Sequence, residues 1–341
     1  MEFFASQPGA RLVSLRLRGT GNVRRSSGQH LSVWRPYVAL LSGVVAVSFA
    51  AIFIRLAQDK TAPSLVLAAA RLSVATAVLT PLVVHHHRAE LRRVARRDLL
   101  WAGLSGAFLA IHFATWITSL EYTAVVNSVT LVTTSPLWVA LLAPLVLRER
   151  LNRATLLGIV LAIGGGVLVG MSSAGDPPTR LDPWLGNGLA LAGAVAAAFY
   201  LMIGRHLRAR WSLVTYIWLV YGVAALLLVG AVWVTHQQII GLPRQAYLWM
   251  VLMGLVPQLI GHSSFNYALG YLPAAYVSLV VLGEPIGSGL LAIVFLDEWP
   301  VLLQIAGSAL ILVGIGVATH EAPLPGQTVA PAEALAGEDL A

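Results

Sequence analysis

Apolar residues run along the chain in ten long blocks, at about 36–54, 63–84, 99–120, 123–147, 155–171, 185–204, 212–234, 246–268, 273–295 and 302–318, with short polar turns between them. A helix needs roughly 20 apolar residues to cross a bilayer, and the blocks are of that order. Their Leu, Val, Ala and Gly follow one another without strict alternation. That pattern predicts helices, because barrel strands would be shorter and would alternate. The few polar residues inside the blocks therefore stand out, among them Arg71, His112, Gln258, His262, Asn266 and Glu284. The fold expected is an all-α membrane protein with ten transmembrane helices.

The pattern also repeats. At an offset of 149, Pro136 answers Pro285, Glu149 answers Glu298, Gly158 answers Gly307 and Gly165 answers Gly314. Upstream, at an offset of 150, Leu41, Gly43, Phe49 and Arg55 meet Leu191, Gly193, Phe199 and Arg205. Five blocks fall in each copy. An odd number of spans turns the second copy upside down, so the prediction is two inverted five-helix repeats, the plan of a carrier with its site between the halves. The organisation expected is a basic tail at 1–35, a first repeat at 36–171, a loop at 172–184, a second repeat at 185–318 and a tail at 319–341.

Composition agrees: 57% of the 341 residues are hydrophobic and 11% are charged, far from a soluble average. The net charge of +7 comes mainly from Arg-rich loops on one side, before helix 1 and after helices 2, 4 and 6, whereas Arg55, Lys60, Arg180 and Arg244 lie on the other. By the positive-inside rule both termini are expected in the cytoplasm, with the protein in the plasma membrane. The charge is thus a signature of insertion, not of nucleic-acid binding. The segment before Pro36 lacks an uninterrupted apolar h-region and a cleavage site, and reads as a disordered basic arm near anionic lipid. The tail after about His320, rich in Ala, Pro and acidic residues, also reads as disordered. The chain has no cysteine, which excludes thiol chemistry.

Ser135-Pro136 with Arg148-Glu149-Arg150-Leu151 and Gly158, repeated as Glu284-Pro285 with Asp297-Glu298 and Gly307, resembles the drug/metabolite transporter superfamily, specifically its EamA-type ten-helix carriers. The resemblance covers roughly 36–318, and Arg71 sits where that family often has an arginine. It implies export or exchange of small metabolites, often amino acids or their relatives, through a central cavity between the repeats. The chain departs from the pattern at Asp297-Glu298-Trp299 and at Gly283-Glu284-Pro285-Ile286-Gly287.

Candidate pathway residues follow from the cost of polarity in lipid. An ionised Glu284 near the bilayer centre costs about 3 kcal/mol or more, so it faces water, is protonated, pairs with a cation, or is a fixed anchor. Its repeat partner is Ser135, and that asymmetry points to a specialised task. Pro136 and Pro285 free the carbonyls of Val132 and Val281, which predicts kinks or breaks in helices 4 and 9; Pro257 in helix 8 poses the same question without a partner. Arg71 keeps its charge and is expected to form an ion pair, to snorkel toward the outer face, or to bind a substrate carboxylate.

His112 and His262 occupy equivalent positions, which inversion is expected to set at mirrored depths about the midplane. Trp116, Gln258 and Asn266 lie four residues from one or the other histidine and extend the polar faces. Asn127, Tyr200 and Tyr276 are further candidates for the pathway. Glu149 and Glu298 are expected to cap the helices that follow them. Gly164, Gly165, Gly166, Gly170, Gly307, Gly314 and Gly316 suit close packing, within the chain or across a homodimer.

His85-His86-His87 lacks accompanying carboxylates and reads as an interfacial anchor, so no metal and no cofactor are expected. There is no Walker loop, HExxH pair or GxSxG elbow. The function expected is secondary transport of a small molecule across the bilayer, with a coupling proton at Glu284. The rival readings are an integral membrane enzyme or a lipid-handling protein using the polar bundle interior, or a receptor that binds without flux.

Overall fold

The computed structural model describes residues 28–123, 125–146, 153–171, 182–296, 299 and 301–320. The first repeat contains α1 (Gly28–Gln58), α2 (Ser64–His86), the short α3 (Arg88–Arg93), α4 (Arg96–Tyr122), α5 (Val125–Val132), α6 (Ser135–Val146) and α7 (Arg153–Met171). The second contains α8 (Pro183–Arg208), α9 (Leu213–Val234), α10 (Arg244–Met253), a π-helical stretch (Gly254–His262), α11 (Ser263–Leu269), α12 (Ala274–Val281), α13 (Glu284–Leu296) and α14 (Leu302–His320). Among the described residues, seven helices are long and apolar enough to cross a membrane. The other three expected spans correspond to α5 with α6, to α7 and to α14. Helix α1 starts eight residues earlier than the apolar block and runs through Pro36.

The inversion can be read from contacts between helices. In α7, a Cβ on Gly165 would lie 2.4 Å from the Gly307 carbonyl oxygen, and in α14 a Cβ on Gly314 would lie 2.6 Å from that of Gly158. These four glycines are two repeat-equivalent pairs, and each contact is the image of the other. Moving up α7 from 158 to 165 means moving down α14 from 314 to 307, so the two helices are antiparallel. The same holds between α2 and α9, where the Trp218 indole N–H donates to Thr80 Oγ1 at 3.0 Å and Gly222 faces Thr76. A two-fold axis that exchanges antiparallel spanning helices is perpendicular to them and lies in the plane of the bilayer.

The off-axis contacts obey the same operator. Gly43 of α1 packs on Phe265 of α11, and its counterpart Gly193 of α8 packs on Thr115 of α4, the counterpart of Phe265. The absence of a Cβ at these crossings lets backbones approach, which is how helices gain van der Waals contact when lipid supplies no hydrophobic drive. Gly158, Gly165, Gly307 and Gly314 are thereby engaged within one chain.

Proline acts where the sequence places it. Helices 4 and 9 are interrupted at Thr133–Thr134 and at Leu282–Gly283, repeat-equivalent positions just before Pro136 and Pro285. Each proline lacks the N–H that would continue the helix, and its ring clashes with the preceding turn. Pro257, with no counterpart, sits inside the nine-residue π-helical stretch, where the wider turn accommodates the missing donor.

One basic loop is pinned by a carboxylate. Glu90 in α3 accepts the backbone N–H of Ser212 at 2.8 Å, the hydroxyls of Ser212 and Thr215, and His87 Nδ1 at 3.2 Å, covering the start of α9. Burial on its own would raise the Glu90 pKa, but the hydrogen bonds from Ser212, Thr215 and His87 outweigh it and hold the pKa below the usual value. A depressed folded pKa means stability that is present above the unfolded value of about 4.3 and lost as pH falls through the folded one. Glu90→Gln is therefore expected to lower thermal stability at pH 7 and to match the parent in strong acid; equal melting temperatures at both pH values would contradict this.

Arg208, one of the basic residues at the end of helix 6, is 1% exposed. Its Nε donates to the Asn266 carbonyl at 3.0 Å and its Nη1 to the Trp211 carbonyl, so it serves backbone acceptors at helix ends and not the solvent.

Candidate functional site

Between the repeats lies a cavity bordered by both helix breaks. Val132, Thr133 and Ser135 line it on one side, and Val281 and Glu284 on the other. The rest of its wall includes Val47 of α1, Arg71 of α2, His112 and Trp116 of α4, Tyr200 of α8, and His262 and Phe265 from the segment after Pro257. Its volume is about 50 Å³, room for a few water molecules at roughly 10–15 Å³ each on this measure. Helix 2 enters the lining through Arg71, in addition to helices 1, 3, 4, 6, 8 and 9.

The two histidines meet here. His112 and His262 have ring centroids 6.3 Å apart, so these equivalent residues face one another across the pseudo-two-fold axis. Mirrored depths about an axis in the bilayer plane are small for residues that lie beside it, which is how two equivalent side chains come to share one cavity. His112 Nδ1 donates to the Gly193 carbonyl at 3.0 Å, which in the neutral ring leaves Nε2 as an acceptor. The ring stacks on Trp116 at 5.9 Å, while His262 meets Phe113 edge-on at 5.2 Å.

Arg71 is fully buried. Its Nε donates to Gln258 Oε1 at 2.7 Å, and its guanidinium carbon lies 4.2 Å from the centre of the Phe113 ring. The snorkelling expected of it does not occur, because Gln258 and Phe113 hold the head group inside the bundle. Nor does it form a close ion pair: among the described residues those are His87–Glu90 and Arg210–Asp98, both away from the cavity. Glu284 is 7% exposed and is the first residue of α13, where the positive end of the half-helix dipole faces a carboxylate.

Gln258 and Asn266 stand behind the cavity wall. Asn266 Nδ2 has the Tyr200 hydroxyl at 2.5 Å, the His262 carbonyl at 2.8 Å and the Tyr221 hydroxyl at 3.2 Å within reach, so its two hydrogens serve three acceptors with one hydrogen shared. This hub ties α8 and α9 to the π-helical segment. Tyr276 pairs edge-on with Tyr37 at 6.1 Å and is not among the cavity-lining residues. The side chain of Asn127 and all of Glu149 and Glu298 lie outside the described residues, so their expected roles have no structural counterpart here. Sequence reasoning missed Phe113, Tyr221 and Ser263 as partners of the polar groups. Phe113 follows His112, but its role as a platform for Arg71 depends on how α2 and α4 cross.

The model of the EamA-like transporter family matches residues 34–171 and again 184–319, once for each repeat. The chain belongs to the EamA-like transporter family. It is similar to an uncharacterized transporter of Archaeoglobus fulgidus, at 27% identity over 68% of this chain and 80% of the relative. It is also similar to the uncharacterized transporter YxxF of Bacillus subtilis, at 24% identity over 65% of this chain and 70% of the relative. A solved crystal structure aligns with a TM-score of 0.69 and 19% identity, covering 84% of this chain and 97% of the other; at that identity the likeness concerns the fold alone. This EamA-like protein is thus a multi-pass integral membrane transporter of a small molecule.

Proposed function

We propose that this EamA-like protein is a secondary carrier that exports or exchanges small metabolites, such as amino acids or related compounds, by alternating access. The observation that carries the proposal is the cavity between the repeats, flanked by a break in each repeat and lined by a buried Arg71 and a buried Glu284. Buried charge of this kind is costly in a bilayer and marks a pathway more readily than packing does. Broken helices change direction at low cost, and rocking one repeat against the other exposes the axis to either side in turn. The cavity volume of about 50 Å³ holds a few water molecules, so in this reading admitting a metabolite requires the breaks to open. The basic loops favour a plasma (cell inner) membrane location with both termini cytoplasmic, and the driving force is a gradient of substrate or of protons.

Glu284, with His112 and His262 across the cavity, is the proton-coupling group in this reading. Purified protein in vesicles is expected to move an unchanged solute, with an exchange rate that varies with pH around neutrality. Glu284→Gln removes a titrating group while keeping its shape, and should flatten that profile without lowering the melting temperature by more than a few degrees. A pH profile unchanged by the substitution would take Glu284 out of coupling, and conversion of the solute would replace the carrier by an enzyme.

A further inference from the structure

The two half-helices that start at the cavity differ in one respect. Residues 135 and 284 are repeat-equivalent and each opens a half-helix, α6 of 12 residues and α13 of 13. A helix N-terminus carries roughly half a positive charge. At α13 the chain supplies the matching carboxylate itself, through Glu284; at α6 Ser135 supplies a neutral hydroxyl.

The other polar groups of the first repeat add to that imbalance. Arg71 lines the same cavity, is fully buried and keeps its charge; its Nη1 has no hydrogen-bond partner among the described residues. Trp116, 3% exposed and also lining the cavity, has its indole Nε1 buried without a described partner. The repeat counterparts of these two donors are Tyr221 and Asn266, neither charged. The first repeat therefore brings a cation, a free donor and a helix N-terminus to the cavity, and the second brings the carboxylate. Buried donors without partners are costly, and a ligand that satisfies them recovers that cost.

We infer that the transported molecule's carboxylate binds at the α6 end of the cavity, between Arg71, Trp116 and the N-terminus of α6, in the place where the second repeat carries Glu284. This rests on the carrier reading and deepens it: the ligand class is a small carboxylic acid, and Glu284 opposite favours one that also bears an ammonium group. Bound there, the ligand carboxylate restores to the first repeat the charge pattern that the second repeat has built in.

The test is binding and counterflow in vesicles for a set of α-amino acids, each paired with its carboxamide, which keeps the amine and loses the anion. At least one acid is expected to bind and exchange about tenfold or more better than its carboxamide, the range that a charge-assisted hydrogen bond supplies. Ser135→Asp places a carboxylate at α6 as Glu284 does at α13, and should weaken acid binding at least about tenfold while weakening carboxamide binding much less. Arg71→Lys keeps the charge without the planar fork and should give an intermediate loss. Carboxamides moving as well as acids, or Ser135→Asp leaving acid binding unaltered in a folded protein, would overturn the carboxylate site while the carrier stands. No flux of any solute by folded protein would overturn the carrier reading and this inference with it.

Discussion

Gly165→Leu is expected to be among the most damaging single substitutions in the chain, with Gly314→Leu close behind it. The first Cβ atom would lie 2.4 Å from one backbone oxygen and 2.9 Å from the Ile311 backbone nitrogen; at Gly314 the corresponding distances are 2.6 Å and 2.8 Å. Backbone cannot swing aside as a side-chain tip can, so α7 and α14 must separate along the crossing that joins the repeats. Overpacking of this sort costs roughly 1–3 kcal/mol, and more where a rigid helix pair has to move. Gly103→Ala is the control, since nothing lies within 4 Å of its added Cβ, and it should gain up to about 1 kcal/mol from helix propensity. Thermal unfolding in detergent distinguishes these outcomes. Equal tolerance at Gly103 and Gly165 would mean the glycine crossing is not tight.

Asn266→Leu is the second large effect, through hydrogen bonding. One amide nitrogen serves two phenols and a backbone carbonyl on three segments. Leucine fills a similar volume but leaves those groups without their donor, at about 1–3 kcal/mol for a buried orphan in water-soluble proteins and less in membranes, where alternative partners are found. A net loss of roughly 2–4 kcal/mol is expected, with the π-helical segment loosened as the His262 carbonyl loses the Asn266 amide. Tyr221→Phe, which removes one of the partners and not the hub, should cost less than half as much. A melting temperature for Asn266→Leu within a degree of the parent would show that the hub does not organise the segment.

What the sequence discloses divides along a physical line. The fold was legible because a bilayer leaves few choices: block length, the odd count per repeat and the basic loops predict inverted helical repeats, and the Gly165–Gly307 and Gly314–Gly158 contacts realise that inversion. The helix breaks were legible because proline acts locally, on its own backbone and the turn before it. Partners distant along the chain were not. Arg71 and Gln258 are separated by 187 positions, and nothing in either helix says which face meets the other until α2 and the π-helical segment cross. The spacing of Gln258, His262 and Asn266 singled out one helix face, but it could not tell lining from support; the structure puts His262 in the cavity wall and the other two behind it. Glu90 carried no sequence signal as a cap, because the helix start it covers lies 122 residues away. Tyr276 looked polar enough for a pathway, yet its neighbour Tyr37 gives its ring an ordinary aromatic contact.

The inverted arrangement underlies the axis, the shared cavity and the inequality of Ser135 and Glu284, and one measurement reaches it directly. Lys60 and Arg210 are exposed, repeat-equivalent residues in the turns after α1 and α8, and the chain contains no cysteine of its own. Single Lys60→Cys and Arg210→Cys variants can therefore be labelled with a membrane-impermeant maleimide on intact and on permeabilised cells. The account predicts that one site reacts on intact cells and the other only after permeabilisation. Labelling of both from the same side would mean that the repeats are parallel.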